Sequence, residues 1–320
     1  MGDPAANELS ALATGFGVAD LSNRGRVLVA GPDAPKLLNN LCTKDVLKLA
    51  DGEATEAFFL NAKGGVLFYA RLFKVDEGIE LDLEPSLAAM VVKHIDRYII
   101  REKAVVKDAT KSTTRFHVCG RNAEAALKFE YGDGLNRATN VVIRRIDRTP
   151  FQGFDLTYNG LSEAAVLAPP GKLPHGPAIH LEQGDMERLR ILAGLPAFGR
   201  EIVEGCLAQE IDRNEQAISF TKGCYIGQET VARLDAMGHV NRILRGFTLD
   251  GAERPADGAK IRFNDKEVGA VSSSAVSLDG KSVKCLGVVR TAASTPGTEV
   301  LIDFEGGPRK AVVSKLPFDQ

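Results

Sequence analysis

The chain has 320 residues, which is enough for two or three domains with a substantial buried core. Its composition, 44% hydrophobic and 26% charged, is that of an ordinary globular protein and excludes disordered and collagen-like classes. The formal net charge of −2 provides no bulk field for nucleic acid or anionic membranes, so we expect neither as a partner.

The N-terminal residues and the cysteines indicate the cellular compartment of the protein. Residues 1–8 lack the cationic start and apolar core of a secretory signal, and no apolar run in the chain approaches the roughly 18 residues of a membrane span. The five cysteines are odd in number, widely spaced and never arranged as CxxC, which disfavours a disulfide framework or structural zinc. We therefore expect a reduced, cytoplasmic protein without a metal site, in which four cysteines are small buried residues.

The first hundred residues alternate between strand and helix patterns. A polar turn followed by an apolar run at residues 17–31 predicts a strand, and Asp33 with its neighbouring prolines can begin a helix. A helix is also predicted over residues 85–98, because its apolar side chains recur on one face. Between the two helices, apolar segments separated by glycine-bearing turns predict a three-stranded meander at residues 57–61, 65–75 and 79–83.

The strand–helix pattern then repeats at an offset of 89 residues. Residues 116–127 align with residues 27–38, and both copies run strand, glycine, two residues, alanine, three residues, leucine. Further strands at residues 141–145 and 154–158 and a helix over residues 185–193 are predicted to follow. Two copies of this pattern indicate two similar α+β halves, and a chance resemblance of two strand–helix units is the alternative.

Beyond Arg242 the sequence changes to short strand-like segments separated by glycine, proline or aspartate turns. Six of them follow one another, at residues 243–249, 261–263, 268–271, 284–289, 300–304 and 311–313. This pattern of short strands and turns is typical of a small β-barrel or sandwich. We predict an α+β fold in three domains, with a first α+β unit at residues 1–110, a second at residues 111–241 and a C-terminal β-barrel at residues 242–320.

Residues 222–229 (KGCYIGQE) gather more reactive side chains than any other stretch of the chain. Residues 217–220 before them predict a strand, and residues 229–234 predict the beginning of a helix. A helix N-terminus and the nearby Lys222 both favour ionisation of the Cys224 thiol. Cys224 is therefore a candidate nucleophile, redox centre or ligand; the alternative is a cysteine that fills a gap behind a tight turn.

The polar residues around this thiol have two interpretations. Gln228 and Glu229 can offer hydrogen bonds to a planar heterocycle, with Gly223 and Gly227 permitting close approach of the backbone. Glu229 also lies four residues before Arg233, so a modest ion pair along the helix is the plain alternative.

Other catalytic patterns are weak or missing. No histidine is tied to Cys224 by sequence, which disfavours a Cys–His hydrolase, and HExxH, GxSxG and GxGxxG do not occur. Residues 61–65 (NAKGG) lack the Walker pattern and are more typical of a hairpin turn than of a phosphate-binding loop.

Residues 222–229, preceded by Phe220 and Thr221, resemble the signature of the YgfZ-type folate-binding proteins, which are relatives of the glycine-cleavage T-protein (aminomethyltransferase). Four further segments resemble supporting motifs of that family: residues 18–25 with Val29 and Gly31, residues 190–199, Gln209 with Glu210, and residues 312–318.

The resemblance implies two ferredoxin-like α+β units and a barrel arranged as a three-domain ring, with tetrahydrofolate in the central opening. It also implies a role in making or repairing iron–sulfur clusters, with Cys224 as the functionally important residue and Lys222 beside it. On this basis Tyr225, Gln228 and Glu229 are expected to contact the folate. Its glutamate tail is expected to reach basic residues, either Arg233 or Arg242.

The chain departs from the T-protein pattern at one position. The T-protein has an acidic pair shortly after its Gly-Gly turn, whereas residues 66–71 (VLFYAR) after Gly64 and Gly65 contain no carboxylate. Without that charge, a cationic iminium-type one-carbon intermediate is harder to stabilise. Asp155 falls near a second acidic folate contact of the T-protein and is at best a shortened substitute.

Three functions follow in order of preference. The first is a tetrahydrofolate-binding protein that assists iron–sulfur cluster assembly or repair, with folate and iron–sulfur client or assembly proteins as partners. The second is a tetrahydrofolate-dependent aminomethyl or methyl transferase acting on an unidentified amine. The third is an interaction module whose folate pocket has decayed, so the sequence leaves open whether the chain is an enzyme.

Overall fold

The computed structural model describes residues 9–132, 141–159 and 178–318. It contains two five-stranded sheets, each with helices, and a closed six-stranded barrel, which confirms the predicted α+β fold with a C-terminal barrel. Residues 1–8, on which the argument about a secretory signal rests, lie outside the described residues. None of the helices in the described ranges is both long and apolar enough to cross a lipid bilayer.

The elements are numbered in chain order over these ranges. The strands are β1 (Phe16–Asp20), β2 (Gly25–Ala30), β3 (Ala54–Leu60), β4 (Val66–Val75), β5 (Gly78–Leu83), β6 (Val105–Asp108), β7 (Thr113–Cys119), β8 (Val141–Arg145), β9 (Gly153–Asn159), β10 (Ala178–Leu181), β11 (Arg242–Asp250), β12 (Lys260–Phe263), β13 (Lys266–Val276), β14 (Ser282–Arg290), β15 (Glu299–Ile302) and β16 (Arg309–Ser314). The helices are α1 (Ala34–Leu41), α2 (Ala88–Asp96), α3 (Ala123–Tyr131), α4 (Gln183–Leu192), α5 (Asn214–Ala217) and α6 (Gln228–Met237).

The first sheet has the strand order β3-β4-β5-β2-β6, and all its neighbours are antiparallel. Strands β2, β4, β5 and β6 with helices α1 and α2 form the βαββαβ pattern of a ferredoxin-like unit, and β3 is an additional edge strand. Alternate residues such as Val27 and Val29 pack with α1 in the core, while Arg26 lies on the opposite face of the sheet.

The second sheet has the order β10-β1-β7-β9-β8 and repeats this plan with one substitution. Strands β7, β8 and β9 with α3 correspond to β2, β4 and β5 with α1. The fourth strand, however, is β1 from the N-terminal segment, which pairs antiparallel with β7, and β10 joins its outer side in parallel.

The repeat at an offset of 89 residues is confirmed by backbone geometry. Gly31 and Gly120 both have positive φ, at 114° and 132°. A Cβ on Gly31 would lie 2.3 Å from the Lys103 carbonyl oxygen, and one on Gly120 would lie 2.6 Å from the Gly15 carbonyl oxygen. Both copies therefore need glycine between the strand and the helix. The backbone at the beginning of the neighbouring strand, β6 in one sheet and β1 in the other, lies too close for a Cβ.

The barrel closes in the order β11-β14-β13-β12-β15-β16, with β11 paired to β16. Five of the six segments predicted beyond Arg242 lie within one of these strands, and the segment at residues 300–304 extends two residues past the end of β15. The interior is filled by alternate apolar side chains, among them Phe247, Ile261 and Val313, which are nearly or fully buried.

The chain forms two compact units. One comprises residues 1–22, 112–196 and 245–320 and contains the second sheet and the barrel; the other comprises residues 23–111 and 197–244 and contains the first sheet and the KGCYIGQE motif. The three domain ranges expected from the sequence stay a prediction.

The strand predicted at residues 217–220 is wrong. Helix α5 ends at Ala217, and no strand covers residues 218–220. The apolar side chains of Ala217 and Ile218 are buried at the end of this short helix. Thr43 holds the segment there: its hydroxyl donates to the Ala217 carbonyl at 2.6 Å, and its own carbonyl accepts from the Ser219 N–H at 2.9 Å.

Candidate functional site

Cys224 lies in an exposed part of the loop that leads into α6, four residues before the helix begins at Gln228. The predicted helix after the motif is confirmed. The other four cysteines are buried, as expected, and burial raises the pKa of each of their thiols to about 11 or 12. Among the described residues, Cys224 is therefore the one thiol open to solvent.

Lys222 is buried two residues before this thiol, and its ammonium group is fully engaged. Its Nζ donates to three backbone carbonyl oxygens at the end of α1 and just beyond it, those of Asn39 at 2.6 Å, Cys42 at 2.9 Å and Lys44 at 2.7 Å. A lysine in this position satisfies carbonyl groups that a helix C-terminus leaves unpaired. Burial lowers the pKa of Lys222, which the nearby Cys42 opposes. These contacts make Lys222 an anchor of the loop; its predicted catalytic role stays a prediction.

Tyr225 is the second anchor, on the other side of Cys224. Its side chain is buried, with the Lys222 Nζ 5.2 Å from the ring centroid. Burial raises the pKa of the Tyr225 phenol to about 12, so the hydroxyl is neutral at physiological pH. The next residue, Ile226, donates its backbone N–H to the Asn40 carbonyl at 3.1 Å. Cys224 is thus presented on a loop fixed on both sides.

The beginning of α6 packs against the turn at residues 61–65. A Cβ on Gly227, where φ is 83°, would lie 2.8 Å from the Asn61 carbonyl oxygen. The Thr230 hydroxyl donates to the Lys63 carbonyl at 2.9 Å, and a Cβ on Gly64 would lie 2.5 Å from the Thr230 Cβ. The turn connects β3 and β4, which confirms the hairpin interpretation. The backbone that lies close to Gly227 is therefore that of the protein's own turn at residues 61–65.

The polar residues at the start of α6 remain accessible. Gln228 is half-buried, whereas Glu229 and Arg233 are exposed. Among the described residues the structure shows no ion pair between Glu229 and Arg233, although they are four apart on one helix. A Cβ on Gly223 would meet no atom within 4 Å, so the side of the loop next to Cys224 is open.

Arg242 is held by an acidic residue of the same unit. Its guanidinium donates to the two carboxylate oxygens of the buried Glu210 at 3.3 and 3.4 Å. The neighbouring Gln209 is also buried and donates from Nε2 to the Val231 carbonyl of α6 at 2.9 Å. Glu210 thus partly neutralises the charge of Arg242. Of the two basic residues expected to meet a glutamate tail, Arg233 is the more available to a ligand.

Asp155 lies in the other unit, on β9 in the second sheet, where it is buried. It accepts from Arg148 Nη2 at 2.6 Å and contacts His117 Nδ1 at 2.8 Å. Burial alone would raise its pKa, but Arg148 and His117 hold the pKa of this carboxyl well below its usual range. Both oxygens are engaged by these neighbours, so a ligand could use Asp155 only after Arg148 or His117 moved.

A carboxylate that the sequence analysis missed lies on the β3–β4 hairpin. Glu56 accepts from Arg71 at 3.1 Å, from Arg213 Nε at 2.7 Å and from the Tyr69 hydroxyl. Burial would raise the pKa of Glu56, but the two arginines lower it. Alternating polar residues in β4 were the available signal for Tyr69 and Arg71. Arg213 carried no such signal, because it lies 157 positions from Glu56 in the sequence.

The comparisons with known proteins agree with this architecture. Residues 1–139 match the GCVT N-terminal domain, and residues 242–319 match the glycine cleavage T-protein C-terminal barrel domain. A solved structure, the glycine cleavage system aminomethyltransferase T from Bartonella henselae, covers 100% of this chain and 91% of its own at a TM-score of 0.86 and 19% identity, which shows the same fold.

Sequence relatives carry three different descriptions. A chloroplastic protein of Arabidopsis thaliana named as a transferase is 28% identical over 97% of this chain and 73% of its own length. An aminomethyltransferase of Chloroherpeton thalassium is 27% identical over 97% and 89%. A mitochondrial iron–sulfur cluster assembly factor IBA57 homologue of Neurospora crassa is 28% identical over 76% and 56%. Two of these relatives belong to organelles, so a cytoplasmic location stays a prediction.

Both domain models fall within one chain whose two sheets and closed barrel match the aminomethyltransferase fold. The protein belongs to the glycine cleavage T-protein (GcvT) superfamily.

Proposed function

We propose that the protein is a YgfZ-type, tetrahydrofolate-binding member of this superfamily that assists iron–sulfur cluster assembly or repair in client enzymes through Cys224. The observation that carries the proposal is the exposed Cys224 thiol on a loop anchored by buried Lys222 and Tyr225. A thiol fixed in this way can meet a partner or a cluster without the cost of ordering a mobile segment. The similarity to an iron–sulfur cluster assembly factor homologue supports the same role.

The residues at the start of α6 fit a folate. The Gln228 amide and the Glu229 carboxylate are accessible and can pair with the donors and acceptors of a pterin, and the exposed Arg233 can pair with a glutamate carboxylate. Tyr225 adds an aromatic ring with a neutral hydroxyl. When bound, tetrahydrofolate supplies a carrier for one-carbon groups.

The hairpin after Gly64 and Gly65 argues against aminomethyl transfer as the main activity. Strand β4 carries no carboxylate over residues 66–71. Glu56 on the adjacent strand is compensated by Arg71 and Arg213. A cationic one-carbon intermediate would therefore find no uncompensated negative charge on this hairpin. Folate binding without that transfer leaves Cys224 as the reactive group.

The test separates the folate from the thiol. Purified wild type and Cys224→Ala are titrated with tetrahydrofolate, and both are expressed in cells that lack the protein while the activity of iron–sulfur enzymes is followed. We expect saturable folate binding by both proteins and restored client activity only with wild type. Thr221→Ala, in the same exposed stretch of the loop, is the matched control and should behave as wild type. Absence of saturable binding, or full restoration by Cys224→Ala, would contradict the proposal.

A second candidate is a tetrahydrofolate-dependent aminomethyl or methyl transferase. It is favoured by the similarity over 97% of this chain to proteins named as aminomethyltransferases. Incubation of the protein with tetrahydrofolate and a panel of methylated or aminomethylated amines should then produce methylene- or methyl-tetrahydrofolate. No product across the panel, with folate binding retained, would remove this candidate.

A further inference from the structure

The internal repeat places β6 of the first sheet and β1 of the second sheet in the same position. In the second sheet β1 pairs with β7 through Gly17↔Cys119, Val18↔Val118, Ala19↔His117 and Asp20↔Phe116. In the first sheet β6 pairs with β2 through Val105↔Ala30, Val106↔Val29, Lys107↔Leu28 and Asp108↔Val27. Adding 89 to the number of a β2 residue gives the equivalent β7 residue. By this rule β6 pairs with β2 in the same register in which β1 pairs with β7.

The two strands differ on their outer sides. Strand β1 is covered by β10, which adds in parallel and places Phe16 opposite Ala178 and Ala19 opposite Leu181. Strand β6 is the edge of its sheet, and no strand within the described ranges pairs with its outer side. The first sheet therefore has an open strand position that its own repeat fills.

The backbone of β6 has groups directed to this open side. The Ala109 N–H donates to the Arg26 carbonyl at 2.8 Å, which makes Ala109 an inward-bonded residue. Backbone groups alternate along an antiparallel strand, so those of Val106 and Asp108 are directed outward. The equivalent bond in the second sheet, from the Leu21 N–H to the Arg115 carbonyl at 2.9 Å, shows the same alternation.

Exposed apolar side chains lie at the beginning of this edge. Ile100 and Val105, at 82% and 65% exposure, are the two most exposed large hydrophobic residues of the described chain, and both lie at the entry to β6. Met90 on α2 and Tyr98 just after it are also exposed, and α2 packs next to β6. Exposed apolar side chains such as Ile100 and Val105 beside an open strand edge mark a place where another chain can pair.

We propose that β6 is a docking edge for an extended segment of a partner polypeptide, which adds in parallel as β10 adds to β1. Backbone hydrogen bonds to β6 hold the segment, and apolar side chains on alternate residues cover Ile100 and Val105. Along residues 100–108 the exposed basic residues Arg101, Lys103 and Lys107 outnumber the exposed acidic residues Glu102 and Asp108, so the segment carries carboxylates near the two lysines. This surface includes neither Cys224 nor the residues proposed to contact folate.

The test uses the full chain and a synthetic peptide with the sequence of residues 178–185, which contains β10 and acidic residues after it. Hydrogen exchange of the amides at residues 104–108 is followed by mass spectrometry. At a peptide concentration ten times its Kd, we expect exchange there to slow by about ten-fold. The double variant Ile100→Glu, Val105→Glu should lose this protection.

Val142→Glu is the matched control, because Val142 is an exposed apolar residue on β8, the edge strand of the second sheet. It should keep the protection at β6. Three results would overturn the proposal: no protection by millimolar peptide, slow exchange at β6 before peptide is added, or protection that rises with protein concentration alone. The second result would show that the chain covers its own edge, and the third that a second copy does.

Discussion

The first and second sheets share one plan but differ in what is attached to each. Both begin with strand, glycine and helix, and both place a buried arginine at the same position of the first strand, Arg26 in one and Arg115 in the other. The unit of the first sheet adds residues 197–244 with the KGCYIGQE motif, whereas that of the second adds the barrel. The sheets therefore supply a scaffold, and the candidate chemistry lies in the segment added to the first one.

The largest expected effect is in the second sheet, at Asp155. Asp155→Asn should cost about 4 kcal/mol of unfolding free energy, because it removes a buried carboxylate that pairs with both Arg148 and His117. Urea unfolding measures it. Asp303→Asn is the control, because its ion pair with Arg262 is exposed to solvent on the barrel, and the loss should be much smaller. Equal losses would show that the cluster around Asp155 is no more important than a surface pair.

In the first-sheet unit the corresponding test is Lys222→Met. The change should cost about 3 kcal/mol, because three carbonyl groups lose a charged donor. Exchange of the loop amides at residues 221–226 should also rise more than exchange elsewhere. Lys48→Met, on a side chain with 77% exposure, is the control and should change stability by less than about 0.5 kcal/mol. A uniform rise in exchange would contradict the role of Lys222 as an anchor of this loop.

The shared turn can be tested in both sheets at once. Gly31→Ala and Gly120→Ala should each cost about 2 kcal/mol, since a Cβ would clash with a backbone carbonyl at a positive φ. Gly52→Ala also has a positive φ, 79°, but no atom lies within 4 Å of its Cβ, so it should cost about 1 kcal/mol. Thermal unfolding of the three variants ranks them. Similar values for all three would mean that φ alone, without the close approach, explains the glycines.

The smallest expected effect is a pH dependence. The folded-state pKa of Asp155 lies below its unfolded value, so its stabilising contribution is complete above the unfolded pKa near 4 and is lost as pH falls toward the folded pKa. Between pH 5 and pH 3.5, wild type should therefore lose about 0.7 kcal/mol more than Asp155→Asn. Urea midpoints at both pH values measure the difference. Parallel losses would assign the acid sensitivity to other carboxyl groups, such as Glu56, whose pKa is also lowered.

The pattern of apolar residues was sufficient for most elements and for the superfamily. Strands β11 to β16 and helices α1, α2, α4 and α6 lie where periodicity placed them, because alternation and helical spacing are local properties of the chain. The strand predicted at residues 217–220 failed, since tertiary hydrogen bonds from Thr43 hold that segment at the end of a short helix. The local sequence could not predict this hydrogen bond, because Thr43 and Ala217 lie 174 positions apart.

For the candidate site, the motif identified which residues to examine but not what each one does. Lys222 was expected beside the thiol as a chemical group, and the structure shows it bound to three carbonyls of a distant helix end. Asp155 was expected as a possible ligand contact, and it is engaged by Arg148 and His117. The partner of a buried charge is set by which strands lie side by side, and that is a property of the fold.

The sequence alone determined the α+β class, the duplicated strand–glycine–helix unit, the terminal barrel and the unusual octapeptide around Cys224. Only the tertiary structure decided that β1 completes the second sheet, that β6 leaves the edge of the first one open, and that Cys224 stands exposed between two buried anchors. The reason is physical: periodicity and turn chemistry act over a few residues, whereas strand pairing and burial depend on contacts between distant parts of the chain.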